Sequence, residues 1–224
     1  NRLDRQRLYF LESDHEGYLK TFLPTIGTYL EQGNLFPGFR IYNDYKAKAL
    51  VRLAWVIARL QKDFDLNADA TFVPDRKKIP WPKDEKEADE IWEKRLTYEM
   101  LAEVLTQIDL GGDENSTEAE NKTLLPEAEK LAEFAKEARD RIAKRYERWD
   151  KNIREFEASD VQEMYLTTLS QMFDPHTTFL NIKERDRFNQ SMHNTFVGIG
   201  AVLTDEDGFC TIKELLPGGP AEAC

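Results

Sequence analysis

Residues 41–64, IYNDYKAKALVRLAWVIARLQKDF, decide the fold class. Tyr42, Tyr45, Ala49, Leu53, Val56, Leu60 and Phe64 recur at steps of three and four, with charged residues between them. That spacing lays one apolar stripe along a helix of about six turns. No proline or glycine interrupts the run. Such a stripe needs a second apolar surface, because an amphipathic helix is held mainly by what it packs against.

The neighbouring sequence supplies those surfaces. Residues 85–109 repeat the pattern through Ala88, Ile91, Trp92, Leu96, Met100, Val104 and Ile108, with Asp84 as N-cap and Glu87 three residues on. A third helix is expected from about 125 to 156, with Pro126 near its start. Its stripe is Ala128, Leu131, Ala135, Ala138, Ile142, Trp149, Ile153 and Phe156. Ser159-Asp160-Val161-Gln162 reads as the capping box of a fourth helix carrying Val161, Tyr165, Leu169 and Met172. These stripes read as core, not as a cofactor box. Residues 67–83 hold Pro74, Pro80 and Pro82 around a charged run, which is loop chemistry. Residues 111–123, GGDENSTEAENKT, read as a solvated linker.

The character changes near residue 194. Phe196, Ile199, Val202 and Leu203 surround Gly198 and Gly200, and Asp205-Glu206-Asp207-Gly208 is a turn. Phe209-Cys210-Thr211-Ile212-Lys213-Glu214-Leu215-Leu216 follows as a strand. Pro220-Ala221-Glu222-Ala223 reads as the first turn of a helix with proline at its first position. The expectation is a mainly α protein: a multi-helix domain over residues 1–193, then the beginning of a β-rich module over residues 194–224. A chain that stops one turn into a helix is expected to be a fragment.

Composition narrows the function classes. The 224 residues carry 31 Lys+Arg against 42 Asp+Glu, a net charge of −11. A binder of the nucleic-acid backbone needs clustered cations, so that class is set aside. The 13 Phe, 8 Tyr and 4 Trp exclude wholesale disorder. No window approaches the roughly 18 uncharged apolar residues of a membrane span. No basic region leading into an apolar one opens the sequence, so no signal peptide is read here, and a processed secreted chain would look the same. Cys210 and Cys224 form no CxxC pattern, and His15, His176 and His193 lack metal-ligand spacing, so neither metal nor cofactor is expected.

The sharpest local signal is Phe196-Val197-Gly198-Ile199-Gly200-Ala201. Two glycines one residue apart, entering an apolar strand, can aim successive backbone N–H groups into a concavity that holds a peptide's terminal carboxylate. The strand after them can take the peptide as an added strand. The same pattern also fits a glycine-relieved bulge or hairpin corner. A second signal is Asp174-Pro175-His176-Thr177. It reads as a helix-to-helix corner, with Asn181 and Glu184 capping the next helix, in preference to a catalytic Asp–His pair. No serine sits in a glycine elbow. A third is Lys78-Ile79-Pro80-Trp81-Pro82-Lys83-Asp84-Glu85, a stiff extended stretch that is expected to expose its tryptophan and feeds a capped helix, read either as a packed loop or as a protein-contact loop.

These motifs, in this order, resemble the N-terminal half of the tail-specific proteases, the carboxy-terminal-processing serine peptidases of bacterial envelopes. Arg7-Leu8-Tyr9-Phe10-Leu11 with Ser13-Asp14 is similar to the family's opening segment. Ile79-Pro80-Trp81-Pro82-Lys83-Asp84-Glu85 with Trp92 and Arg95 is similar to its middle helical region. Asp174-Pro175-His176-Thr177 and Phe188-Asn189-Gln190-Ser191-Met192 resemble the approach to its PDZ domain. The Phe196–Leu203 stretch and Pro217-Gly218-Gly219-Pro220-Ala221 resemble that domain's first strands and helix start. Leu3-Asp4-Arg5 and Asn181-Ile182 stand where the family often has Leu-Asp-Pro and Ser-Pro.

The resemblance implies a PDZ-like module that binds substrate C-termini, with Phe196, Val197, Gly198, Ile199, Gly200 and Ala201 as the carboxylate loop. It implies a periplasmic serine endopeptidase whose Ser–Lys pair lies after the PDZ domain, so no catalytic residue is expected here. Partners would be proteins with apolar C-termini and an adaptor on the helical domain. A non-catalytic helical adaptor with a PDZ-like module is the alternative.

Overall fold

A computed structural model of the chain describes residues 2–66, 71–110, 128–193, 198–206 and 209–223. The chain divides into two compact units, Asn1–Thr177 and Thr178–Cys224. Among the described residues the first unit is helical: α1 (Glu12–Phe22), α2 (Ile26–Glu31), α3 (Phe36–Leu60), α4 (Glu85–Leu110), α5 (Ala128–Glu155) and α6 (Ala158–Phe173). The expected fold class, mainly α, holds. Pro126 and the linker at 111–123 lie outside the described residues.

Helix α3 starts five residues before the stretch read from its stripe. Pro37 sits in its first turn, where a missing N–H costs nothing. Gly38 is required there, because an added Cβ would lie 2.6 Å from the ring of Tyr165 on α6. The stripe of α3 is the centre of the core, with Ala49, Leu53, Val56 and Leu60 fully buried. Helix α5 packs against α3 and α4, and α6 packs against α3. From α4 come Ala88, Trp92, Leu96, Met100 and Val104. From α5 come Ala138, Ile142, Ile153 and Tyr146. Tyr146 interrupts a charged run, and burial suits it because its hydroxyl reaches the Glu99 carboxylate at 3.0 Å while Arg95 Nε donates to it at 3.2 Å.

The caps follow the sequence in part. The Glu87 N–H donates to the Asp84 carboxylate at 2.8 Å, as expected of an N-cap. The α6 start differs from the expected Ser159 box. Glu157 is the N-cap and its N–H donates to the Asp160 carboxylate at 2.8 Å. Asp160 captures that N–H from the third helical position, so the helix begins at Ala158 and Ser159 falls in its first turn.

Residues 3–11 carry no helical period, yet they are held by buried hydrogen bonds. The Asp4 carboxylate is buried and accepts the N–H groups of Leu8, Tyr9 and Phe10 at 2.8–2.9 Å. Burial holds this carboxyl above its ordinary value, and the three N–H bonds offset only part of that rise. Arg7 adopts a left-handed φ of 54°, which turns the chain so that Leu8, Tyr9 and Phe10 enter the core. The Trp92 indole N–H donates to the Leu8 carbonyl at 2.9 Å. Residues 76–82 close the other side: the Arg76 N–H donates to the Gln6 side chain at 2.7 Å and the Glu12 N–H to the Pro82 carbonyl at 2.8 Å. Trp81 is therefore not the exposed side chain expected from Pro-Trp-Pro. It is buried against Phe10 and His15, with the Arg7 guanidinium 5.4 Å from its ring.

Tyr9, Tyr45 and Tyr146 share this core, and burial pushes all three phenols above their ordinary value. A raised folded-state value means that the unfolded chain ionises first. The stability held by these phenols is intact below about pH 10 and falls above it, by about 1.4 kcal/mol per pH unit for each tyrosine. The tyrosinate absorbance contributed by Tyr9, Tyr45 and Tyr146 near 295 nm, isolated with Tyr→Phe variants, is expected to appear together with loss of helical circular dichroism. Ionisation of these three near pH 10 with the helical signal intact would contradict this.

The second unit contains α7 (Ile182–His193), β1 (Ala201–Glu206), β2 (Phe209–Leu215) and a short 3₁₀ turn at Pro220–Ala223. The Glu184 N–H donates to the Asn181 side chain at 2.9 Å, the expected cap. The strands pair antiparallel from Ala201↔Leu215 to Glu206↔Phe209, with an irregularity between Val202 and Leu203. The turn residues Asp207 and Gly208 lie outside the described residues. Among the described residues, no helix is long and apolar enough to cross a membrane.

Candidate carboxylate-binding loop

Of the six residues expected to form the loop, Phe196 and Val197 lie outside the described residues. Gly198 and Ile199 are exposed, Gly200 is half-buried and Ala201 opens β1. Gly200 needs its glycine twice over. Its φ is +75°, and an added Cβ would lie 2.6 Å from the Cα of Gly219. A Cβ on Gly219 would lie 2.7 Å from the Cα of Gly200 and 3.0 Å from the Leu216 carbonyl. The two glycines thus let two backbone segments touch.

Hydrogen bonds lock that contact. The Leu216 N–H donates to the Gly200 carbonyl at 2.7 Å, and the Ala221 N–H donates to the Ile199 carbonyl at 2.8 Å. The Glu222 carboxylate accepts the Gly218 N–H at 2.6 Å. Both loop carbonyls are therefore engaged by the Leu216–Ala221 turn. The N–H groups of Gly198, Ile199 and Gly200 find no acceptor among the described residues. Strand β1 pairs on one edge with β2, and its other edge has no strand partner among the described residues. Ile199 and Leu203 stand 59% and 51% exposed beside it. Chemically, this is a loop whose Ile199 and Gly200 carbonyls are engaged, next to an open strand edge. The role of Gly219 escaped sequence reading. Its signal was a second glycine-rich turn on the far side of a hairpin.

The other signals resolve differently. Helix α6 ends at Phe173, and Asp174 is extended ahead of Pro175. Its carboxylate accepts the His176 N–H at 3.1 Å and the Thr177 hydroxyl at 2.8 Å, and these bonds hold it below the usual carboxylate range. Asp174 thus bonds the His176 backbone, which is the corner reading and not a catalytic pair. Among the described residues no three His, Cys, Asp or Glu side chains converge as a metal site.

The helical unit belongs to a known class. The family model for the tail-specific protease N-terminal domain matches residues 1–183, and the chain belongs to that family. A curated relative, the tail-specific protease of Haemophilus influenzae, is 27% identical over 220 residues, covering 98% of this chain. The chain spans 28% of the length of that relative.

Proposed function

We propose that this chain is the recognition segment of a periplasmic serine endopeptidase that processes or degrades proteins marked by apolar C-termini. In this reading residues 1–193 are the helical N-terminal domain and an adaptor surface. Residues 194–224 open a PDZ domain. The loop Phe196, Val197, Gly198, Ile199, Gly200 and Ala201 holds the terminal carboxylate, and the peptide adds to the open edge of β1. The Ser–Lys pair lies outside these residues, so the chain by itself cleaves nothing. The observation that carries the reading is the division of labour in the loop. Carbonyls of Ile199 and Gly200 face the Leu216–Ala221 turn, which leaves N–H donors for an anion. The segment from Thr195 to Cys224 has five acids and one lysine, so backbone donors must do most of the holding.

The test uses the longer protease carrying the complete module. A labelled peptide with an apolar tail is titrated as free acid and as C-terminal amide. The amide is expected to bind about tenfold or more weakly, since charge-assisted bonds are lost. Gly198→Val is expected to weaken the free acid similarly. Gly200→Val is a poor choice of probe because it breaks the contact with Gly219. Equal affinity for acid and amide would overturn the loop's role. Cleavage of an apolar-tailed substrate by residues 1–224 alone would overturn the placement of the catalytic pair.

A further inference from the structure

The helical unit carries two adjoining concavities of opposite character. The first, about 510 Å³, is an apolar groove between α1, α6 and the residue 2–10 segment. Its rim is unusually bare: Leu19, Leu23 and Met172 are 46%, 68% and 77% exposed. The second, about 550 Å³, is lined by Arg2, Arg5, Arg7, Lys77 and Gln171 and by no carboxylate. Arg2 lines both, so the two adjoin at its side chain.

The cations have little to neutralise them. Arg2 bonds the Gln171 amide oxygen at 2.7 Å, and Arg7 bonds the Ile79 carbonyl and stacks on Trp81. Lys77 meets Asp75 at 3.3 Å, a side chain that does not line the cavity. Arg5 is exposed with no acid partner among the described residues. Asp4 reaches the groove, but three backbone N–H groups already hold its carboxylate. Three guanidinium groups thus gather in a chain of net charge −11 without a carboxylate of their own. Guanidinium forks match carboxylates in pairs.

We propose that these two adjoining concavities together dock an amphipathic helix of a partner protein, its apolar face in the groove and acidic residues at one end against Arg2 and Arg5. Charge complementarity selects the acidic end. The bare rim selects a polypeptide over an acyl chain, because small apolar ligands are usually enclosed. Leu19 and Leu23, one helical turn apart, and Met172 opposite them suit anchors at helical spacing, and methionine adapts to irregular partners. The proposal gives a surface to the adaptor site of the preceding section, rests on that part of it only, and is independent of the glycine loop.

The probe is a labelled 18-residue peptide with leucines at helical spacing and three glutamates in its first turn, titrated by anisotropy against residues 1–224 and against the longer protease. Binding to both is expected. Replacing the glutamates by lysine, or Arg5→Glu in the protein, is expected to weaken it about tenfold, with Arg5→Lys retaining most of it. Leu23→Glu is expected to weaken it as much, and both sites are exposed enough to leave the thermal melt unchanged. No binding at 1 mM peptide, as an order of magnitude, would overturn the proposal. So would equal affinity for the lysine peptide, or displacement by a fatty acid at lower concentration than by peptide. Binding to residues 1–224 but not to the longer protease would mean that the protease's own chain fills the groove, and would overturn it too. Unchanged tail-peptide binding in Leu23→Glu separates this result from failure of the glycine-loop reading.

Discussion

Asp4→Ala is expected to lower the stability of the helical unit by about 3–5 kcal/mol, because three buried N–H groups lose their acceptor at once. The groups are those of Leu8, Tyr9 and Phe10, whose side chains are also buried, so water reaches them only if the segment lifts. For a unit of this size the loss corresponds to a drop in Tm of about 10 °C. Asp4→Asn keeps one oxygen and brings an amide that donates where an acceptor is needed. It is expected to fall between, at about 1–3 kcal/mol. Thermal melts followed at 222 nm decide this. A shift below about 2 °C for Asp4→Ala would mean that the segment finds other acceptors and that the carboxylate does not organise it.

Trp92→Ala is the second large effect, at about 3–5 kcal/mol. The side chain is fully buried among Tyr9, Tyr146 and the stripes of α3 and α5, and its indole N–H is the bond that fixes the Leu8 carbonyl. Trp92→Phe restores most of the volume but not the donor, and is expected to cost about 1–2 kcal/mol. Denaturant titrations of the two variants separate packing from hydrogen bonding. The Asp4 carboxylate and the Trp92 indole meet at Leu8, one on its N–H and the other on its carbonyl, so the Asp4→Ala/Trp92→Phe double variant should lose less than the two single losses together. Strict additivity would show that the two anchors act independently.

The helices were legible because their stripes repeat at 3.6 residues and burial follows the stripe. Ala49, Leu53, Val56, Trp92, Leu96, Met100, Ala138 and Ile142 could be named as core before any coordinates. Tyr146 could not, because Arg145-Tyr146-Glu147-Arg148 reads as a solvated face. Only Arg95 and Glu99, some fifty residues away, make its burial affordable. Residues 3–11 were illegible for the same reason. Nothing periodic marks them, and the anchors of Leu8, Tyr9 and Phe10 lie in the turn at Asp4 or as far off as Trp92. Trp81 was misjudged because flanking prolines say that a segment is stiff, not where it lies. In the glycine loop, the strand and the need for glycine were readable, while the reason for Gly200 depends on Gly219, nineteen positions on.

The anchoring of residues 4–12 by residues 76–92 also sets an order of events during synthesis. Translation at about 5–20 residues per second leaves roughly 4–16 s between the appearance of Leu8-Tyr9-Phe10 and that of Trp92. Through that interval these three side chains have only part of their native packing: Tyr18 and Tyr45 on α1 and α3 are already made, while Trp81 and Trp92 are not. The segment is therefore expected to be held only once α4 and α5 have been made, since Trp92 of the first and Tyr146 and Trp149 of the second close the core around Tyr9.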